Sequence, residues 1–238
     1  MMIELDKKLL ADVDYRSREA FKTLRTNILF CGTDVKVITM TSATPNEGKS
    51  TVTLNLAIAL AEMGKRVIYI DADLRKSVVK QKHRIKGVKM GLSHFLSGMQ
   101  KFDEVVCTTN IPNLHMVLAG TVPPNPSELL GSKYMTVLLK NLRGVYDYVI
   151  VDAPPVGSVT DATVIAKETD GVVLVISQGA ISYKFERKVL SDLKMSGCKI
   201  LGAVLNKVDL SKNGYYGSYY GKYYGKYYGK YGQEEEQQ

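Results

Sequence analysis

The nine residues Ala43-Thr-Pro-Asn-Glu-Gly-Lys-Ser-Thr51 are the densest chemistry in the chain. Gly48, Lys49, Ser50 and Thr51 form the core of a phosphate-binding loop. Backbone N–H groups at a helix start cradle phosphates, the lysine reaches the β and γ oxygens, and the Ser50 hydroxyl suits Mg²⁺. Asn46 and Glu47 complete the expected nucleotide-binding set, and Lys49 is expected to be partly exposed. The full pattern's first glycine is missing, since Ala43 stands there. In "VIVDAPP", Asp152 ends an apolar run, the position of the acid that assists the metal. In "YIDADLR", Asp71 and Asp73 are two apart, which on a strand puts both carboxylates on one side. Beside bound phosphates and Mg²⁺, one such acid can ligate metal while the other takes a proton from a nucleophile. The expected catalytic set is Lys49, Asp71, Asp73 and Asp152, and the expected metal set is Ser50, Asp73 and Asp152.

These side chains need a scaffold, and the hydrophobic pattern describes one. Continuous apolar runs at 35–42, 66–73, 114–120, 146–155, 171–177 and 199–209 alternate with helical patterns. Such alternation predicts an α/β fold, a mostly parallel sheet with helices on both faces. Ligands of these folds bind at the carboxyl ends of the strands, where the acids lie. One amphipathic helix is expected at about 15–30, and another runs from a Ser127 cap through 142. A basic helix is expected after Asp73.

Composition narrows the function classes. The chain has 238 residues, 45% of them hydrophobic, enough for one sizeable core. Cys31, Cys107 and Cys198 lack disulfide or zinc spacing, which fits a reducing compartment. The N-terminus reads as neither a signal peptide nor a membrane span. The net charge is +8, and Arg75 to Lys89 holds seven Lys/Arg with no acid. This is one basic patch, so no nucleic-acid partner is expected; a solvated face, anionic lipid, an acidic partner or a phosphopeptide are the readings. The expected layout is a domain at 1–210 and a low-complexity tail at 211–238. That tail holds nine tyrosines: Tyr215, Tyr216, Tyr219, Tyr220, Tyr223, Tyr224, Tyr227, Tyr228 and Tyr231. It lacks aliphatic residues to build a core, so it reads as disordered by composition.

"TSATPNEGKST", "VIYIDADLR" and "YVIVDAPP" resemble the Walker A, Walker A′ and Walker B motifs of bacterial tyrosine kinases. "EAFKTLRTNI" resembles that family's self-association motif, with Glu19, Lys22 and Arg25 at the motif positions and Lys22 replacing an arginine. The tail resembles the family's tyrosine cluster. The resemblance implies a P-loop fold of the deviant Walker A class, related to partitioning and septum-positioning ATPases. It implies Mg-ATP-dependent autophosphorylation of the nine tyrosines between subunits of a ring. It also implies control of capsule or exopolysaccharide polymerisation and export. The implied partners are a membrane-bound co-polymerase-type adaptor, further copies of the chain and a cognate tyrosine phosphatase. The implied location is cytoplasmic, at the inner membrane face. A phenol with pKa about 10 needs a base, and Asp71 is the acid expected to serve. A flexible tail of roughly 24 residues has an r.m.s. reach of about 25–30 Å.

Three rivals accompany this reading. Partitioning ATPases carry a signature lysine where Thr44 stands here. A GTPase is suggested by Asn206, Lys207 and Asp209 in N-K-x-D spacing, although adenine-binding relatives also place an asparagine there, and Asn206 is assigned to nucleotide. The third is a non-catalytic scaffold switched by nucleotide.

Overall fold

A computed structural model of the chain describes residues 1–6 and 14–209. It comprises two compact units, 1–206 and 207–238, the second described only at 207–209. The tyrosine tail lies outside the described residues.

The first unit is built on an eight-stranded sheet. Its strands are β1 (Met2–Ile3), β2 (Val37–Ser42), β3 (Val67–Asp71), β4 (Val106–Thr109), β5 (Leu114–Val117), β6 (Tyr148–Asp152), β7 (Gly171–Ser177) and β8 (Ile200–Asn206). Their spatial order is β1-β4-β5-β3-β6-β2-β7-β8, parallel throughout except for the β4–β5 pair. The helices are α1 (Tyr15–Phe30), α2 (Lys49–Glu62), α3 (Val79–Lys82), α4 (Leu92–Leu96), α5 (Phe102–Val105), α6 (Pro126–Leu130), α7 (Lys133–Val145), α8 (Asp161–Ala166) and α9 (Tyr183–Met195). This is the doubly covered α/β architecture that the apolar runs require.

Strand alternation sorts the core into two layers. Ile38, Met40, Tyr69, Ile150 and Val173 face α2, with Leu54, Ala57, Leu60 and Ala61, and Ile28 of α1 joins them. Val37, Ile68, Ile70, Val149 and Val151 point the other way, onto Met135, Leu138, Leu139 and Leu142 of α7. β2, β3 and β6 are buried at every position, so neither of their faces meets water.

Four sequence expectations need correcting. The helix from Ser127 is two helices, broken at Gly131, with Ser132 extended at the start of α7. Ser127 is not its cap; it lies inside α6. The basic helix is a single turn, α3, because its glycine and β-branched residues favour irregular chain. β3 ends at Asp71, so Asp73 stands beyond the strand, and its Oδ1 accepts the Lys76 N–H at 3.0 Å in a local turn. β1 and β4 are too short to leave a periodic signal.

Candidate active site

The nucleotide-binding loop leaves β2 at Ser42 and enters α2 at Lys49. Gly48 caps the helix at φ +85°, a left-handed conformation that glycine adopts without strain. Glu47 is buried and holds the loop together. Its Oε2 accepts the Thr44 N–H at 2.7 Å, and its Oε1 accepts the Ser177 N–H at 3.3 Å. Its carbonyl accepts the Asn206 amide at 2.8 Å, so Asn206 braces the loop from β8. The segment after Asp152 closes the other side, with Gly157 N–H donating to the Ala43 carbonyl at 3.1 Å. A Cβ on Gly157 would stand 2.3 Å from that carbonyl oxygen, so only glycine fits there.

The chemistry converges beneath this loop. Lys49 is 6% exposed, buried rather than partly exposed as its motif suggested. Its ammonium donates to Asp152 Oδ1, lies 3.4 Å from Ser50 Oγ and 4.0 Å from Asp73 Oδ2. Register aligns Asp71 on β3 with Asp152 on β6, which brings the two carboxylates together at adjacent strand ends. Tyr69, two residues earlier on β3, is fully buried and donates its phenol to Asp152 Oδ2 at 2.7 Å. Both Asp152 oxygens are therefore engaged. Tyr69 escaped the sequence reading because it scans as one more apolar strand residue; its spacing of two from Asp71 was the available signal.

Asp71 is different. It is fully buried, its Oδ2 accepts the Ser77 hydroxyl, and its Oδ1 has no partner. Burial pushes its pKa up to about 7, with the Asp152 charge adding to the rise and Ser77 and Lys49 opposing it. An unpartnered carboxylate oxygen that titrates near neutrality is what a general base requires.

The acid-bearing loop is clamped from outside. Arg75 grips Asp161, at the start of α8, with Nε to Oδ2 at 2.7 Å and Nη2 to Oδ1 at 3.1 Å. Ser127 of α6 bonds both, accepting from Arg75 Nη2 at 2.9 Å and donating to Asp161 Oδ1 at 2.5 Å. Burial works against the Asp161 carboxylate, but Arg75 and Ser127 outweigh it and hold its pKa below the usual range. Asp161 was not singled out in the sequence, and Ser127 was read there only as a helix cap.

On α1, Glu19 and Lys22 pair with each other at 2.7 Å on the surface. Arg25 instead reaches across to α2 and donates to the Ala59 carbonyl at 3.0 Å. That carbonyl lies in the last turn of α2, where helix acceptors lack partners.

Among the described residues no three carboxylates or imidazoles converge into a ready-made metal cage. The oxygen-only donors near Lys49 nevertheless fit Mg²⁺, which usually takes one or two carboxylates and fills its remaining positions with water and phosphate.

A family model described as an AAA domain matches residues 35–194. The tyrosine-protein kinase CpsD of Streptococcus agalactiae is 40% identical over 196 residues, covering 82% of this chain and 86% of CpsD. This chain belongs to the bacterial tyrosine kinases. The kinase domain of the Escherichia coli tyrosine kinase ETK superposes with a TM-score of 0.77 at 32% identity, covering 83% of this kinase and 80% of ETK's chain. The septum site-determining protein MinD of Pyrococcus horikoshii, solved with Mg-ADP, gives 0.63 at 28% identity, covering 75% and 72%. The kinase therefore has the MinD-type P-loop fold, and its chemistry is phosphoryl transfer to tyrosine. No helix among its described residues is long and apolar enough to cross a membrane.

Proposed function

We propose that this kinase transfers the γ-phosphoryl group of Mg-ATP to its own tail tyrosines, Tyr215 to Tyr231. In this reading it thereby controls polymerisation and export of a capsule or exopolysaccharide. The observation that carries the reading is Asp71, a buried carboxylate with one free oxygen beside the Lys49–Asp152 pair. The tyrosine oxygen attacks the γ phosphorus, the bond to the β–γ bridging oxygen breaks, and ADP departs. The phenolic proton passes to Asp71, and this proton transfer is needed because a phenol is neutral at pH 7. Lys49 exchanges Asp152 for phosphate oxygens and holds the charge that builds on them. Ser50, Asp73 and Asp152 would hold Mg²⁺, which supplies charge neutralisation between the β and γ phosphates. Asn46, Glu47, Gly48 and Thr51 shape the loop around the nucleotide, and Asn206 supports it.

The same reading assigns the kinase to the cytoplasmic side of the membrane, recruited by a membrane adaptor and reversed by a tyrosine phosphatase. Glu19, Lys22 and Arg25 take part in a ring whose subunits phosphorylate one another. Intact mass before and after Mg-ATP, with the adaptor's cytoplasmic fragment present, tests the proposal. Successive phosphoryl additions confined to residues 215–231 are expected, and a Lys49→Met chain should show none. A wild-type mass that never changes, or phosphoryl groups found only elsewhere, would overturn it.

A further inference from the structure

The basic segment Arg75–Lys89 forms one wall of the nucleotide site. It leaves Asp71 through Ser77, whose hydroxyl bonds that acid, and turns through α3 to Lys82. The Lys82 ammonium lies 2.6 Å from the hydroxyl of Thr51, the last residue of the phosphate loop motif. Of the seven bases, only Arg75 has a carboxylate partner among the described residues. Lys80 is bonded to the Val88 carbonyl, which leaves its charge uncompensated. Glu4 and Asp6 line a groove of about 550 Å³ with His83, Arg84 and Lys86, which brings that end close to neutral. The excess positive charge therefore sits on Lys76, Lys80, Lys82 and Lys89, all exposed at the surface.

A chain does not gather unpaired cations beside a phosphate site without a cost in mutual repulsion, so an anionic occupant is implied. The kinase's own sequence offers one. Between Leu210 and Gln238 the acids are Glu234, Glu235 and Glu236, consecutive and three residues beyond Tyr231. The tyrosine repeat itself carries Lys222, Lys226 and Lys230 and no acid, so the wall repels it. We infer that Glu234–Glu236 of one copy docks on the Lys76–Lys89 wall of another and delivers the neighbouring tyrosines to the P-loop. This rests on the proposed phosphorylation of the tail.

The docking has a polarity. Three residues span at most about 10 Å, so an anchored Glu234 keeps Tyr231 close to the wall. Tyr228 and Tyr227 follow within roughly 20–25 Å, whereas Tyr215 and Tyr216 stand fifteen or more residues away along the chain. Tyr231, Tyr228 and Tyr227 are therefore modified before Tyr215 and Tyr216. Exposed pairs of this kind are individually weak and screened by salt, so the contact suits a handle that must let go.

Two measurements test the inference. In the first, the full chain carries Glu234→Gln, Glu235→Gln and Glu236→Gln so that its own run does not compete, and no nucleotide is added. A fluorescent peptide of residues 225–238 is titrated by anisotropy at low salt. It should bind at least about fivefold more tightly than the same peptide with glutamines at 234–236. Lys80→Glu with Lys89→Glu should abolish the difference. Equal binding of the two peptides, indifference to the charge reversal, or capture by phosphatidylserine vesicles but not by the peptide would overturn it. Because no transfer is involved, this outcome is independent of the phosphorylation proposal. The second measurement follows site occupancy by mass spectrometry during the reaction. Tyr231, Tyr228 and Tyr227 should lead in the wild type, and the glutamine variant should lose that order. An unchanged order in the variant would overturn the docking.

Discussion

Asp71 and Asp161 are both fully buried. Their surroundings differ completely. Asp161 has a bidentate arginine and a serine hydroxyl, so every demand of a buried anion is met. Asp71 has one serine and leaves an oxygen unpartnered among neighbouring negative charges. A buried charge left so poorly compensated costs stability, and folds retain such groups where chemistry uses them. The satisfied acid maintains the architecture; the unsatisfied one is available to react.

The strongest way to break this contrast is to neutralise each acid in turn. Asp71→Asn should lower phosphoryl transfer by about 10²–10⁴-fold, the range for removing a positioned base. Its urea unfolding midpoint should stay level or rise, since an uncompensated charge is gone. A fall in stability with activity retained would reverse the two roles. Asp161→Asn should do the opposite, costing about 2–3 kcal/mol in urea unfolding. That figure is reduced from a fully buried pair because Arg75 is 39% exposed. Nucleotide affinity, measured with a fluorescent ADP analogue, should change little in the folded fraction.

The two acids should also pull stability in opposite directions with pH. The folded pKa of Asp71 is raised to about 7. Between the ordinary carboxylate value and about 7 the folded state holds a proton that the unfolded state has lost, so this group's contribution falls as pH rises through that window. The Asp161 pKa is depressed, so its contribution is present above the ordinary value and is lost as pH falls below it. Unfolding curves of each Asn variant against the wild type across pH 3 to 8 separate the slopes. The rate of transfer should rise with pH through about 7 as Asp71 gives up its proton. A pH-independent rate in that range would exclude it as the base. The smallest effect is expected from Tyr69→Phe, about 1–2 kcal/mol of stability from one hydrogen bond to a charged group, checked by urea unfolding.

The sheet and the phosphate loop were legible because their signals are local. Apolar runs betray strands buried on both faces, and Gly48-Lys49-Ser50-Thr51 is contiguous. The acids Asp71 and Asp152 were legible as strand ends, whereas Asp73 falls two residues beyond β3. What escaped depends on distant partners. Arg75 and Asp161 are 86 residues apart, and Tyr69 and Asp152 are 83, so no window of sequence contains either pair. Lys49 read as partly exposed because charged residues seldom bury fully; only Asp152 at the end of β6 and Asp73 just beyond β3 make its burial tolerable. Beyond Lys89, β5 was legible as the apolar run from 114, whereas its antiparallel partner β4, four residues long, was too brief for a period to show.

Helix α2 is a rigid rod of fourteen residues, about 21 Å long, with the phosphate loop at one end. At its other end Arg25 supplies a donor to a carbonyl that the helix itself leaves bare. The guanidinium also keeps its Nε buried without a partner, so it is only part-spent. Any neighbour that recruits Arg25 competes with Ala59 for it, and whatever the contact withdraws from that helix end is felt along the whole rod. Because such linkage is reciprocal, an association that alters nucleotide affinity through α2 must itself be tightened or loosened by nucleotide to the same degree.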